Sequence, residues 1–146
     1  MALIAGDGSE RARQLLTLTE RLSERLQRET AILEAHRPQD LYDGIEETRQ
    51  LSNMYRHESM RIKADPSLLA GLNPTEKAAL RAATEAFQVH LRRYELAVTA
   101  AKTITEGIIA AVAEDLNGRR AAAATYGPRA RTVSTGPQSL HRGYRA

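Results

Sequence analysis

The sequence contains neither cysteine nor tryptophan, and aromatic residues make up only 4% of its 146 positions. Without cysteine it has no disulfide framework, no cysteine-ligated zinc finger and no thiol nucleophile. Its hydrophobic share of 42% is mostly alanine and leucine, whereas strands favour β-branched and aromatic side chains, so an all-β fold is disfavoured. The longest apolar run, residues 107–113, is much shorter than the ~20 residues of a bilayer span. Residues 1–5 lack the features of a signal peptide, so we expect a soluble, cytoplasmic protein.

Acidic residues are absent from the last 29 positions. The first 117 residues hold 15 basic and all 18 acidic residues, a net charge of −3, while the last 29 carry +6. The pI of about 9.5 therefore belongs to a tail rather than to a basic fold, which disfavours nucleic acid as the partner. The basic residues of this tail are Arg119, Arg120, Arg129, Arg131, Arg142 and Arg145.

Apolar spacing predicts two helices in the first half of the chain. An Asp7–Glu10 capping box is followed by leucines at helical spacing, which predicts a helix over about residues 8–36. Pro38 breaks this helix, because proline disfavours the α conformation in the residue before it. Asp40 is then the expected cap of a second helix over about residues 40–64. The leucines of the first helix are Leu15, Leu18, Leu22, Leu26 and Leu33.

A third, longer helix is predicted over about residues 74–117. Asn73–Glu76 supplies a cap, a proline at the first helical position and a glutamate at the third. Asn117-Gly118 offers the matching stop, because glycine favours the left-handed cap. Between these ends the side chains of one face recur at alternating spacings of four and three, as in a coiled coil. This seam consists of Leu80, Thr84, Phe87, Leu91, Tyr94, Val98, Ala101, Thr105, Ile108 and Val112.

These elements predict an all-α fold over residues 1–117, an elongated antiparallel helical hairpin or three-helix coiled-coil bundle, with a disordered basic tail over residues 118–146. The third helix would be about 66 Å long and the first two about 40 Å each. If the first two fold back on each other, about 26 Å of the third stays uncovered and needs a partner, a second copy or another protein. If they run end to end, they cover all of it. The uncovered side chains would include Ile104, Ile108, Ile109, Val112 and Leu116.

The sequence shows no catalytic or metal-binding constellation. His57-Glu58 begins like a zinc-protease helix, but the residue four positions after His57 is Arg61 rather than a second histidine. The remaining histidines are scattered, and the glycines near the N-terminus lack the lysine of a phosphate-binding loop. Carboxylates with basic neighbours at helical spacing, such as Glu29 with Arg25, are interpreted as a solvated face. We therefore expect no enzyme activity, no metal and no cofactor.

The layout resembles FlgN-type flagellar export chaperones, and FlbY-like proteins of alphaproteobacteria fit it equally well. Three features carry the resemblance. A leucine-striped first helix ends in the polar break Glu34–Leu41, and the second helix has the pattern Asp40-Leu41…Ile45…Arg49-Gln50-Leu51, with Arg49 where such proteins often have lysine. A long third helix follows a short polar connector. After it, Ala124–Gly127 leads into a tail rich in glycine, serine, threonine and arginine.

The resemblance implies a cytoplasmic chaperone that binds hook–filament junction proteins stoichiometrically. The client's amphipathic C-terminal helix would lie on the apolar end of the third helix, and the export gate or its ATPase would be further partners. The implied partner-binding residues are Ile104, Ile108, Ile109, Val112, Leu116, Tyr126 and Gly127.

Two other classes of function stay open. The seam of the third helix is also suited to pairing with the same seam in a second copy of the chain. The chain would then be a self-associating coiled-coil scaffold, a homodimer without an export role. The basic tail is only weakly suited to binding nucleic acid. It has six positive charges and no aromatic platform for stacking bases, and the first 117 residues of the chain carry a net negative charge.

Overall fold

The computed structural model describes residues 6–126, and within this range the chain forms helices and turns but no strand. The predicted all-α fold is confirmed. The chain divides into two compact units, Met1–Ile104 and Thr105–Ala146, and the division falls inside the third helix. In chain order the elements are α1 (Gly8–Glu34), a 3₁₀ helix (Pro38–Leu41), α2 (Ile45–Ala64), a second 3₁₀ helix (Pro66–Leu69) and α3 (Pro74–Tyr126).

Polar side chains cap the starts of α1 and α3 as predicted. Asp7 Oδ1 accepts the backbone N–H of Glu10 at 2.7 Å. Asn73 and Glu76 form a reciprocal capping box, because Asn73 Oδ1 accepts the N–H of Glu76 at 2.8 Å and Glu76 Oε2 accepts the N–H of Asn73 at 3.1 Å. Each cap satisfies backbone donors that have no partner inside the helix.

The second helix begins later than predicted. Asp40 lies in the first 3₁₀ helix, where its carboxylate pairs with Arg37 at 3.4 Å instead of capping a new α-helix. α2 starts only at Ile45, after Gly44. Gly44 leaves room for Arg25 of α1, because a Cβ at this position would lie 1.6 Å from Arg25 Nη2. The predicted start at residue 40 is therefore wrong by five positions.

α2 folds back along α1, so the end-to-end arrangement is wrong. Near the start of α1, Arg11 Nη1 lies 3.2 Å from Glu58 Oε2, in the second half of α2. Near the end of α1, Glu29 accepts the hydroxyl of Thr48, in the first turn of α2. The two helices are therefore antiparallel.

The first part of α3 runs parallel to α1, and polar contacts join the two helices at both ends of α1. The hydroxyl of Ser9 donates to the Glu76 carboxylate at one end. At the other end the Arg93 guanidinium makes two hydrogen bonds to the Glu34 carboxylate, at 2.7 and 3.0 Å. Both ends of α1 are therefore tied to α3 through side chains.

The core of the first unit is built on the leucine stripe of α1, which is buried as its spacing predicts. Tyr55 of α2 and Phe87 of α3 meet over this stripe with their ring centroids 4.6 Å apart. Each helix therefore contributes to a single apolar cluster, and the burial of this cluster favours the folded state. The cluster consists of Leu18, Leu22, Leu26, Leu51 and Phe87, with Met54, Tyr55, Leu91 and Tyr94 packed against it.

Two carboxylates lie inside this unit, which corrects their interpretation as part of a solvated face. Glu58 is completely buried against Arg11. Glu29 is 2% exposed, accepts the hydroxyl of Thr48 and lies 3.3 Å from Arg25. A buried charge is tolerated only when it is paired and hydrogen-bonded, and both carboxylates meet this requirement.

The predicted end of α3 at Asn117-Gly118 is wrong. The helix continues through this dipeptide to Tyr126. An interior glycine costs only about 1 kcal/mol relative to alanine. Against this cost, Asp115 and Arg119 form an i,i+4 ion pair of 3.0 Å across the dipeptide, and the alanines at 121–124 are the strongest helix formers. The helix therefore includes the first part of the segment that was predicted to be a disordered tail.

We expect Glu58→Gln to lower the free energy of unfolding by about 3 kcal/mol, because it leaves the buried Arg11 without its opposite charge. Urea titration followed by circular dichroism measures this loss. Glu46→Gln is the matched control: Glu46 pairs with Arg49 on the exposed surface of α2, so its removal should barely move the urea midpoint. Equal small losses for both variants would show that the buried pair does not stabilise the fold.

A second prediction concerns Glu76. The hydrogen bond from Ser9, followed by that from the Asn73 backbone, lowers the pKa of the Glu76 carboxyl. A lowered pKa in the folded state stabilises the protein above the unfolded pKa of about 4.3, and this stabilisation is lost as the pH falls through the folded pKa.

The difference in urea midpoint between the wild type and Glu76→Gln should therefore be largest at neutral pH and shrink as the solution is acidified below about pH 4.3. Glu85→Gln, at an exposed position of α3, is measured beside it as the control for removing a surface carboxylate. A difference for Glu76→Gln that does not change with pH would contradict the assignment.

Candidate functional site

An exposed apolar face runs along α3 in the second unit. Ile108, Ile109, Val112 and Leu116 are 60, 63, 53 and 49% exposed. Val112 follows Ile108 by four residues and Ile109 by three, and Leu116 follows Val112 by four, so these side chains lie on one side of the helix. Ile104, the last residue of the first unit, continues the same pattern and is 46% exposed. We call these five residues the α3 face.

The α3 face continues the seam that forms the core earlier in the same helix. Phe87 is buried, and Leu91 and Tyr94 pack against the core cluster. From Ile104 onward, the described residues of the seam are exposed. The predicted heptad pattern is thus covered in its first part and open to solvent in its second.

The α3 face is apolar, because it consists of branched aliphatic side chains. At its C-terminal end, Asp115 and Arg119 occupy the next two seam positions and form a 3.0 Å ion pair, so the apolar surface stops there. Within residues 6–126 no group of histidine, aspartate or glutamate side chains is arranged to hold a metal ion. Such a face is suited to packing against the apolar side of another helix.

Five of the seven predicted partner-binding residues lie on α3 among the exposed side chains, and their role in binding stays a prediction. Ile104, Ile108, Ile109, Val112 and Leu116 lie together on α3 and are all exposed. Tyr126 is the last residue of α3. Gly127 and the remaining arginines of the tail lie outside the described residues.

The apolar runs of the sequence do not reveal that α3 meets the length and composition criterion for a membrane-spanning helix. The helix contains an 18-residue window with a mean hydropathy of 1.5, and none of that window is buried. No uninterrupted apolar run marks this window, because Lys102 and Glu106 interrupt the surrounding apolar and small residues. The criterion rests on length and composition alone, and soluble core helices and signal sequences meet it as well.

The sequence predictions do not include a groove in the first unit, between α2 and α3, which we call the α2–α3 groove. Its volume is about 490 Å³. Leu22 and Leu26 of α1 form its floor, and Tyr55, Phe87 and Tyr94 are among the side chains of its walls. Three helices build this groove together, so no local sequence pattern indicates it.

Comparison with known proteins identifies a flagellar relative. The flagellar basal-body protein FlbY of Caulobacter vibrioides is 43% identical over 128 residues, which cover 87% of this chain and 86% of FlbY. No family model matches the chain, and no solved structure matches it. The expected likeness to FlbY-like flagellar proteins is confirmed, and identity at this level over nearly the whole of both sequences shows that the chain belongs to the FlbY family.

Proposed function

We propose that this FlbY-family chain is a cytoplasmic export chaperone that binds hook–filament junction proteins one to one. The observation that carries the proposal is the exposed α3 face. Five aliphatic side chains at helical spacing remain in contact with water there, and an apolar surface of this kind is typical of a binding site for another protein. The flagellar relative favours a flagellar client.

In the proposed complex the client's amphipathic C-terminal helix lies along the α3 face. Its apolar side covers Ile104, Ile108 and Val112, and the chaperone in turn keeps that side of the client helix from self-associating before export. The Asp115–Arg119 ion pair marks the end of the apolar contact.

The arginine-rich tail contributes long-range attraction in this proposal. The last 29 residues carry +6 and no acidic residue, so they attract an acidic client, the export gate or its ATPase at low ionic strength. Such steering acts mainly on the association rate and weakens with added salt.

A second candidate, a self-associating scaffold, is supported by the heptad pattern. The alternating spacing of four and three persists from the covered part of α3 into the exposed part, and such a seam is also suited to a second copy of the same helix. A tight dimer in sedimentation analysis that hides the α3 face and does not dissociate on adding junction protein would favour this candidate.

The direct test is Ile108→Asp in the full-length chain. A carboxylate in the middle of the α3 face must be desolvated in the complex, so the affinity for a hook–filament junction protein should fall by about 30-fold or more in calorimetric titration. The helical content should not change, because the side chain is 60% exposed.

Val89→Asp is the matched control. Val89 is 64% exposed on α3, and its position in the helical repeat lies away from the α3 face. This variant should bind the junction protein as the wild type does. A folded Ile108→Asp protein with undiminished affinity, or a wild type that does not bind junction proteins, would overturn the proposal.

A further inference from the structure

The α2–α3 groove exists because α2 and α3 both pack against α1 without closing over it. Leu22 and Leu26 of α1 lie at the floor. Along the α2 wall the lining extends from Thr48 to Lys63, about 22 Å of helix. On this wall Met60 is 66% exposed, a large apolar side chain at the groove mouth. The groove is thus an elongated apolar channel parallel to α2.

The charge of the groove has one sign. Of its lining residues only Arg56 and Lys63 are charged, both belong to α2, and both are exposed. They are seven positions apart, so their Cα atoms lie on one side of the helix about 10 Å from each other. The other polar groups of the lining are the hydroxyls of Thr48, Ser52 and Ser59 and those of the two tyrosines, Tyr55 and Tyr94.

We infer that the α2–α3 groove binds an amphipathic α-helix of another protein, one that carries acidic residues seven positions apart beside its apolar stripe. The apolar side of this helix would pack on the floor and on Tyr55, Leu91 and Tyr94, and would complete a four-helix bundle. Its two carboxylates would meet Arg56 and Lys63, since both pairs repeat at the same interval along parallel or antiparallel helices.

A second copy of this chain fits the groove less well. The exposed apolar segment that a copy would offer is the α3 face, and its acidic residues are Glu106, Glu114 and Asp115. No two of these are seven positions apart. The charge spacing therefore favours a different protein as the occupant.

This inference does not depend on the proposed function, because the groove belongs to the first unit and its lining includes no residue of the α3 face. A chain with both surfaces would hold two helices at once, one on the α3 face and one, acidic, in the groove.

The test uses the full-length chain and a synthetic amphipathic peptide of three heptads, with leucines in its stripe and glutamates seven positions apart along one edge. One tryptophan in the stripe reports binding, since the chain itself has none. A second peptide carries lysine in place of each of these glutamates. The wild type should bind the glutamate peptide at least about tenfold more tightly than the lysine peptide, and added salt should reduce the difference.

The double substitution Arg56→Glu with Lys63→Glu should reverse the preference between the two peptides. Both side chains are exposed, so the variant is expected to fold, and circular dichroism verifies this. Val89→Asp is the matched control, and it should leave the preference for the glutamate peptide unchanged, because Val89 belongs neither to the groove lining nor to the α3 face.

Several results would overturn the inference. These are equal binding of the two peptides, no binding of either, or an unchanged preference in the double variant. Loss of glutamate-peptide binding in Ile108→Asp would assign the peptide to the α3 face instead. A tight dimer of the chain alone in sedimentation, which the double variant Arg56→Glu with Lys63→Glu dissociates and Ile108→Asp does not, would assign the groove to a second copy.

Discussion

The burial of the leucine stripe of α1 is the interaction on which the rest of the first unit depends. Leu18, Leu22 and Leu26 belong to one apolar cluster with side chains of both other helices, and burying each leucine contributes about 1.5–3 kcal/mol. α2 and α3 therefore share α1 as a common surface. The buried Glu58 and Glu29, paired with Arg11 and with Thr48, add a polar constraint, because only one alignment of α1 and α2 satisfies these carboxylates.

This arrangement explains why two apolar surfaces remain. α1 is a single helix with one stripe, so it holds α2 and α3 side by side and leaves a groove between them. The seam of α3 also extends beyond the residues that reach the core, and its later positions are exposed aliphatic side chains. Burying more apolar area requires additional helices. The simplest source of these helices is a partner, which is why binding is the function proposed for a FlbY-family protein.

Much of this fold was predictable from spacing, and the failures have physical causes. Periodicity predicts the α1 stripe and the positions of the α3 face. The residue types at the start of α3 predict the Asn73–Glu76 cap. The burial of Glu29 was not predicted. Its position, three residues after Leu26 and four before Leu33, is on the buried side of α1. A charged residue is nevertheless expected to be solvated unless the sequence shows a partner for it. The α2–α3 groove requires the relative placement of three helices, which one sequence does not contain. Gly118 was predicted to end α3, but its cost of about 1 kcal/mol is smaller than the stabilisation from its neighbours.

The most direct test of the proposal that the α3 face receives the client is backbone hydrogen–deuterium exchange of the full-length chain with and without a hook–filament junction protein. The amides over residues 104–116 should exchange more slowly in the complex, because a helix packed against the α3 face suppresses local opening. Protection confined to α1 and α2, with no change over residues 104–116, would contradict the proposal.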